Sequence, residues 1–123
     1  MRFVLIGVGG AAGAIARYLL GGVVHQWVPG FFPYGTFVVN ILGCLVFGMI
    51  VGLAESRFVV GPEARAFLLV GVLGGFTTFS SFTFETFELV RGGQMVAAGV
   101  NVIGQIVIGF LLLWAGFAVG RAV

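Results

Sequence analysis

The sequence predicts an all-α transmembrane protein of four helices, the third of them broken. Three observations carry that expectation. The chain of 123 residues is 60% hydrophobic and only 8% charged, with a mean hydropathy of +1.21, far from the composition of a water-soluble domain. Its length accommodates four spans of about 20 residues with short connections and leaves no room for a separate soluble domain, so residues 1–123 read as a single membrane domain. One apolar stretch also contains the run Gly74-Gly75-Phe76-Thr77-Thr78-Phe79-Ser80-Ser81-Phe82-Thr83-Phe84-Glu85. Adjacent glycines followed by hydroxyl residues make poor helix interior. Irregular backbone at membrane depth is tolerated only where protein buries it or where it lines a wet or ion-filled path, so function is expected in this run.

The first span is expected over residues 3–24. Arg2 ahead of an apolar run superficially suits a signal peptide, but three more apolar runs follow and small residues continue through position 22, which favours a retained helix. His25, Trp27, Pro29, Pro33 and Tyr34 then form a connection suited to the headgroup region, where His25 reads as an interfacial residue rather than a metal ligand. The second span, 36–54, would be about 28 Å long, close to bilayer thickness. A polar connection from Glu55 to Arg65 contains Pro62, and the third span, 66–89, carries the hydroxyl and phenylalanine run near its middle. Arg91, Gly92, Gly93 and Gln94 make the next turn. The fourth span, 95–118, ends before Arg121.

Gly9 with Gly13, Gly48 with Gly52, Gly71 with Gly75 and Gly116 with Gly120 are small-xxx-small pairs, the spacing that lets helix backbones approach closely. The spacing leaves open whether the partner helix is internal or belongs to another subunit. Four helices alone enclose little space, so a solute pathway is more readily built where subunits meet. Cys44, the single cysteine, reads as a small buried thiol. The net charge of +2 comes entirely from arginines, and no basic cluster supports nucleic-acid binding. Arg2, Arg57, Arg65 and Arg121 fall on one side of the membrane, Arg91 on the other, and Arg17 within the first span. That bias favours a cytoplasmic N-terminus, though so short a chain could insert both ways.

Thr36, Asn40, Gly43 and Phe47 share one face of the second span. Asn40, about one turn into the bilayer, either bonds another helix or presents a donor to a pathway. Asn101 and Gln105 repeat the i, i+4 arrangement in the fourth span, where bonding between helices is an equal reading. Phe79 and Phe82 share a face if the helix resumes after Thr78. Phenylalanine usually means packing, yet ring edges carry partial positive charge and would favour a small anion in a narrow passage. Ser80, Ser81 and Thr83 add hydroxyl donors, as replacement of an anion's hydration shell requires. Arg17 either snorkels to the interface or faces a water-filled vestibule where it concentrates anions. Glu85 lies one turn beyond Phe82, as a structural carboxylate or a modulator of the path. No paired nucleophile and base, metal-ligand set or phosphate loop supports enzyme chemistry.

Residues Gly9-Gly10-Ala11-Ala12-Gly13-Ala14-Ile15-Ala16-Arg17-Tyr18, Gly35-Thr36-Phe37-Val38-Val39-Asn40 and Gly74-Gly75-Phe76-Thr77-Thr78-Phe79-Ser80-Ser81-Phe82 closely resemble the Fluc/CrcB family of fluoride channels. The resemblance covers all four spans, and its third-span motif is the specific one. It implies a dual-topology homodimer with two antiparallel ion pathways, passive export of cytoplasmic fluoride that gives fluoride resistance, and a central structural sodium ion. By position, Asn40 resembles the pore asparagine, Phe79 and Phe82 the paired pore phenylalanines, and Arg17 the vestibule arginine. Ser81, with Ser80 and Thr83, falls in the polar stretch, and Thr36 lies one turn from Asn40. The backbone carbonyls of Gly74 and Thr77 match the sodium-coordinating positions, consistent with the preference of a hard cation for oxygen. The fourth span departs from the pattern, with Asn101 where tyrosine and Gln105 where serine is frequent.

The leading expectation is therefore a fluoride-selective channel in the cell inner (plasma) membrane, multi-pass, with fluoride, the lipid bilayer and a second copy of itself as partners. The main rival is a small proton-coupled exporter of organic cations, which would normally need an acidic residue in the first span; the four glutamates stand instead at 55, 63, 85 and 88. A noncatalytic assembly subunit docking through its glycine faces is a third reading, less economical given the clustered donors and phenylalanines.

Overall fold

The structure, a computed structural model, describes residues 1–57 and 60–123. Phe58 and Val59, within the expected polar connection, lie outside the described residues. Helix α1 spans Arg2–Trp27 and α2 spans Tyr34–Ser56. The third crossing, Pro62–Arg91, is assembled from α3 (Pro62–Arg65), a π-helical stretch (Ala66–Leu73), α4 (Gly74–Phe76) and α5 (Phe79–Arg91). Helix α6, Met95–Ala122, completes four crossings that are each long and apolar enough to traverse a bilayer. This is an all-helical, multi-pass membrane protein.

Lipid as solvent explains where the large side chains sit. The buried hydrophobic residues are few and mostly small or medium, Val39, Ala66, Leu73, Leu89 and Ala98, while Phe3, Ile103, Phe110 and Trp114 lie on the outside. Apolar tails cover such side chains as well as protein does, so burial of bulk is not what joins these helices; close backbone packing is.

All four glycine pairs serve that packing, and they meet one another within the chain. A Cβ on Gly9 would fall 2.6 Å from the Phe67 carbonyl, one on Gly13 would strike the Val72 carbonyl, and one on Gly75 would strike the Gly10 carbonyl. Gly9 and Gly13 thus dock against Gly71 and Gly75, joining α1 to the first half of the third crossing. Gly48 and Gly52 likewise press on the Leu113 and Phe117 carbonyls, and Gly116 and Gly120 on those of Leu45 and Met49. This joins α2 to α6. The glycine faces are consumed internally, so any contact with a second subunit has to use a different surface.

The same packing moves the break relative to where the glycines suggest it. Gly74 and Gly75 are helical, with Gly74 at φ −62°, ψ −38°; at Gly75 the absence of a Cβ is used for proximity to α1 rather than for freedom. The chain leaves the helix at Thr77 (φ −84°, ψ 156°) and Thr78 (φ −147°, ψ 117°), both extended. The π-helical stretch just before it was not foreseen. Segments of this kind are frequent at functional sites, and here only the three residues of α4 separate it from the break.

The turn from α5 to α6 follows from Gly93, at φ +77°, a left-handed conformation that glycine adopts without strain. Gln94 donates to the Leu89 carbonyl at 2.8 Å and Gly93 to the Val90 carbonyl at 3.0 Å, the paired bonds that close a helix with a glycine one position past its C-cap, here Gly92. Arg91 and Glu88 form an exposed ion pair at 3.2 Å, a contact worth no more than about 0.5 kcal/mol.

Candidate functional site

At the break, side chains take the place of the missing helical bonds. A continuing helix would send the Thr78 N–H to the Gly74 carbonyl and the Ser81 N–H to the Thr77 carbonyl. Instead Thr78 N–H donates to Asn40 Oδ1 at 2.9 Å, and Ser81 N–H donates to Thr78 Oγ1 at 3.2 Å, which makes Thr78 the N-cap of α5. The helical donors of the Gly74 and Thr77 carbonyls are thereby diverted. On the other side of the break, Thr77 Oγ1 donates to the Leu73 carbonyl at 2.9 Å, and Arg17 Nε reaches across from α1 to the Gly75 carbonyl at 3.1 Å. The guanidinium is half-buried and is held by a backbone oxygen rather than by a carboxylate.

Asn40 is the centre of this arrangement. Its Nδ2 donates to the Thr78 carbonyl at 3.0 Å while its Oδ1 accepts from the same residue's N–H, so the side-chain amide pairs with Thr78 as a neighbouring strand would. The second Nδ2 hydrogen goes to Gln105 Oε1 at 2.8 Å. Gln105 Nε2 donates to Asn101 Oδ1 at 2.9 Å, and Asn101 Nδ2 donates to Thr86 Oγ1 at 2.9 Å. Of the two readings open for Asn40 in the sequence, the structure shows the interhelical bond, and it shows the residue lining a cavity as well.

That cavity is an apolar groove of about 410 Å³ bordered by Asn40, Thr78, Phe79, Phe82 and Gln105, with Gly74 and Thr77 on its wall. Among the described residues, no charged one lines it. The Phe79 and Phe82 rings are tilted at 54° with centroids 5.7 Å apart. Phe82 is half-buried, but Phe79 is 78% exposed, on a face that none of the described residues covers. Gln105 Nε2 retains one hydrogen beyond the bond to Asn101.

A second, polar cavity of about 640 Å³ contains Arg17, Thr36, Ser81, Glu85, His25 and Tyr34. Glu85 Oε1 is buried there with no hydrogen-bond partner among the described residues. Thr78 borders both cavities, so the break is the partition between an apolar, donor-bearing groove and a chamber lined by both Arg17 and Glu85. The expected site residues are divided accordingly: Asn40, Phe79 and Phe82 on the groove, Arg17, Thr36 and Ser81 on the chamber.

Ser80 and Thr83 line neither of these cavities. Thr83 Oγ1 donates to the Phe79 carbonyl at 2.9 Å, which occupies its hydrogen within α5. The Ser80 hydroxyl lies 3.4 Å from Thr78 Oγ1. Sequence reasoning missed Thr78 as the residue shared by both cavities, and missed Thr86 altogether. The i, i+4 spacing of Asn101 and Gln105 held a signal for Thr86, since two buried amides in one helix require a further partner on a neighbouring one.

Comparison with known proteins places these features in a lineage. The family model described as CrcB-like protein, Camphor Resistance (CrcB), matches residues 4–117. A protein of Nitratidesulfovibrio vulgaris strain Miyazaki F, named fluoride-specific ion channel FluC, is 48% identical over 122 residues, covering 99% of this chain and 98% of that one. A protein of the same name from Desulforapulum autotrophicum is also 48% identical, with the same coverage of both chains, and one from Maridesulfovibrio salexigens is 43% identical over 99% of this chain and 97% of its own. With its four apolar crossings, its break and its match over nearly the whole length, this chain belongs to the CrcB-like family.

Proposed function

We propose that this chain is a fluoride-selective channel that works as an antiparallel homodimer and passively releases cytoplasmic fluoride. One observation carries the reading: the clamped break brings Phe79, Phe82, Asn40 and Gln105, whose amide keeps one hydrogen to give, onto one uncharged groove, in a chain 48% identical to a protein named as a fluoride-specific channel. Fluoride is small and strongly hydrated, so a passage has to offer close donors that replace its water without a fixed cation that would trap it. Ring edges and amide hydrogens meet that demand. Arg17, in the adjoining chamber, raises the local anion concentration without standing in the groove.

The exposure of Phe79 supports a second copy as the missing wall, since the glycine faces are already occupied. A central sodium ion fits the donor set at the break: the carbonyls of Gly74 and Thr77 are those whose helical donors are diverted, and a hard cation takes oxygen ligands. The same pair from the second copy would complete the set. When bound, the ion would hold the two breaks together and would have no part in transport itself.

Passive export follows from acid–base chemistry. Neutral hydrogen fluoride crosses lipid, dissociates in the less acidic cytoplasm and leaves an anion that the membrane potential drives outward once a path exists. Liposomes containing only this protein are expected to release fluoride when a potassium ionophore is added, and to release chloride far more slowly. Replacing all sodium with a large organic cation during purification is expected to abolish release and to dissociate the dimer. No fluoride release, or equal release of chloride, would refute the channel; unchanged release and assembly without sodium would refute the ion alone.

Orientation is tested separately. With Cys44→Ala and a single cysteine added at the C-terminus, an impermeant thiol reagent applied to intact cells should label about half of the protein, as antiparallel pairing requires. Labelling of all or none would mean a single orientation, in accord with four arginines at one end of the bundle.

A further inference from the structure

The bonds that begin at Asn40 form a closed circuit. It leaves the third crossing at Thr78, passes through Asn40 of α2 and through Gln105 and Asn101 of α6, and returns to the same crossing at Thr86, two turns into α5. Thr86 Oγ1 donates onward to the Phe82 carbonyl at 2.8 Å. Both ends have fixed polarity. The Thr78 N–H can only donate and the Phe82 carbonyl can only accept, and every amide between them is oriented consistently with both. As a result each side-chain oxygen in the circuit already accepts one bond, and the hydrogens left without a partner are amide N–H groups of Gln105 and Asn101. Gln105, which carries one of these, lines the groove; Asn101 is 0% exposed and lines neither cavity.

Helix α5 depends on this circuit more than the other elements do. Its one buried residue is Leu89, while Phe79, Phe84, Phe87 and Val90 are exposed at 78%, 61%, 54% and 44%. Apolar packing within the chain therefore leaves the rotation of α5 about its axis weakly determined, and the phenylalanine pair rides on that rotation. We infer that Asn101 and Thr86 are positioning residues: through the circuit they set the rotation of α5, so that the Phe82 ring and the free Gln105 N–H face the same groove, and they keep acceptor atoms out of the path of an anion. The inference rests on the channel reading above.

Fluoride and chloride efflux from liposomes, measured beside size-exclusion profile and melting temperature, tests it. Thr86→Val has nearly the shape of threonine but cannot accept from Asn101, and Asn101→Leu removes the other side of the same bond. Each is expected to lower fluoride efflux about tenfold, the effect of losing one interaction of about 1.4 kcal/mol, and to narrow the ratio of fluoride to chloride release. Thr86→Ser, which keeps the hydroxyl, should stay within about twofold of the parent protein, and the double variant should fall no further than the worse single one, since both break one circuit.

A ratio unchanged in both single variants, a serine variant as impaired as the valine one, or losses that multiply in the double variant would overturn the assignment. Should Thr86→Val fail to assemble, Thr86→Cys keeps the size with a weaker bond, and the same narrowed ratio is expected; an unchanged ratio in an assembled Thr86→Cys would overturn it equally. Failure of the parent protein to release fluoride would sink the channel reading itself, a result distinct from any of these.

Discussion

Asn40→Leu is expected to reduce fluoride release at least about 100-fold, corresponding to roughly 2.7 kcal/mol of lost stabilisation along the path. Leucine matches asparagine closely in size, so the effect is one of bonding. The substitution leaves the Thr78 N–H, the Thr78 carbonyl and Gln105 Oε1 without the partners found at 2.9, 3.0 and 2.8 Å. Each unsatisfied group costs about 1–3 kcal/mol, with no water in the bilayer core to take over. The cheapest relief is for Thr78 to rejoin the helix and bond Gly74, which would erase the break and withdraw the carbonyls proposed to hold sodium.

Asn40→Asp separates the clamp from simple polarity. The carboxylate still accepts from the Thr78 N–H, yet it opposes oxygen to oxygen at both the Thr78 carbonyl and Gln105. It should therefore retain a folded dimer and lose release nearly as fully as the leucine variant. Efflux from Asn40→Asp equal to that of the parent would show that the amide hydrogens are dispensable. Retention of activity in Asn40→Leu would remove the clamp from the mechanism entirely.

How far the sequence made this legible depends on the kind of interaction. The four crossings are written in composition, because lipid demands a continuous apolar surface and helices satisfy their own backbone. The small-xxx-small spacing announced close packing but not its partner; only the structure pairs Gly9 and Gly13 with Gly71 and Gly75, and Gly48 and Gly52 with Gly116 and Gly120. Gly74 and Gly75 were legible as an anomaly and misleading as to its place. The small size of Gly75 serves contact with α1, while the extended residues are Thr77 and Thr78, whose hydroxyls and peptide groups find replacements for the helical bonds. The polar circuit was half visible. Asn40, Asn101 and Gln105 stand out as amides in apolar spans, but nothing in their spacing says that the chain of bonds ends on Thr86, a residue that looks like ordinary helix surface. Long-range pairing of this kind is fixed by the packing of α2 on α6, and local sequence holds no record of it.

Phe82→Ile is expected to slow fluoride release by at least about tenfold while leaving assembly and melting temperature close to those of the parent. The backbone role of this position, acceptance of the Thr86 hydroxyl, does not involve the ring, so the circuit of amides survives the change. Isoleucine also stays apolar, so the face that lipid or a second copy would cover is not made polar. What disappears is the ring edge, half-buried on the groove beside Phe79 at a centroid distance of 5.7 Å. An aliphatic side chain presents no concentrated positive edge, so an ion that has shed part of its water there meets a wall that returns nothing. Losing one charge-assisted contact of about 1.5–3 kcal/mol would slow release about tenfold to 150-fold, and the loss is greater if the ring edge is met more than once along the path. Phe82→Tyr keeps an edge and should fall between the two. The corresponding Phe79→Ile variant is expected to be as damaging only if a second copy closes the groove, because within one chain Phe79 is too exposed to confine an ion. A silent Phe79→Ile beside a dead Phe82→Ile would therefore argue for a path through the single subunit, and two dead variants for a path that both subunits enclose.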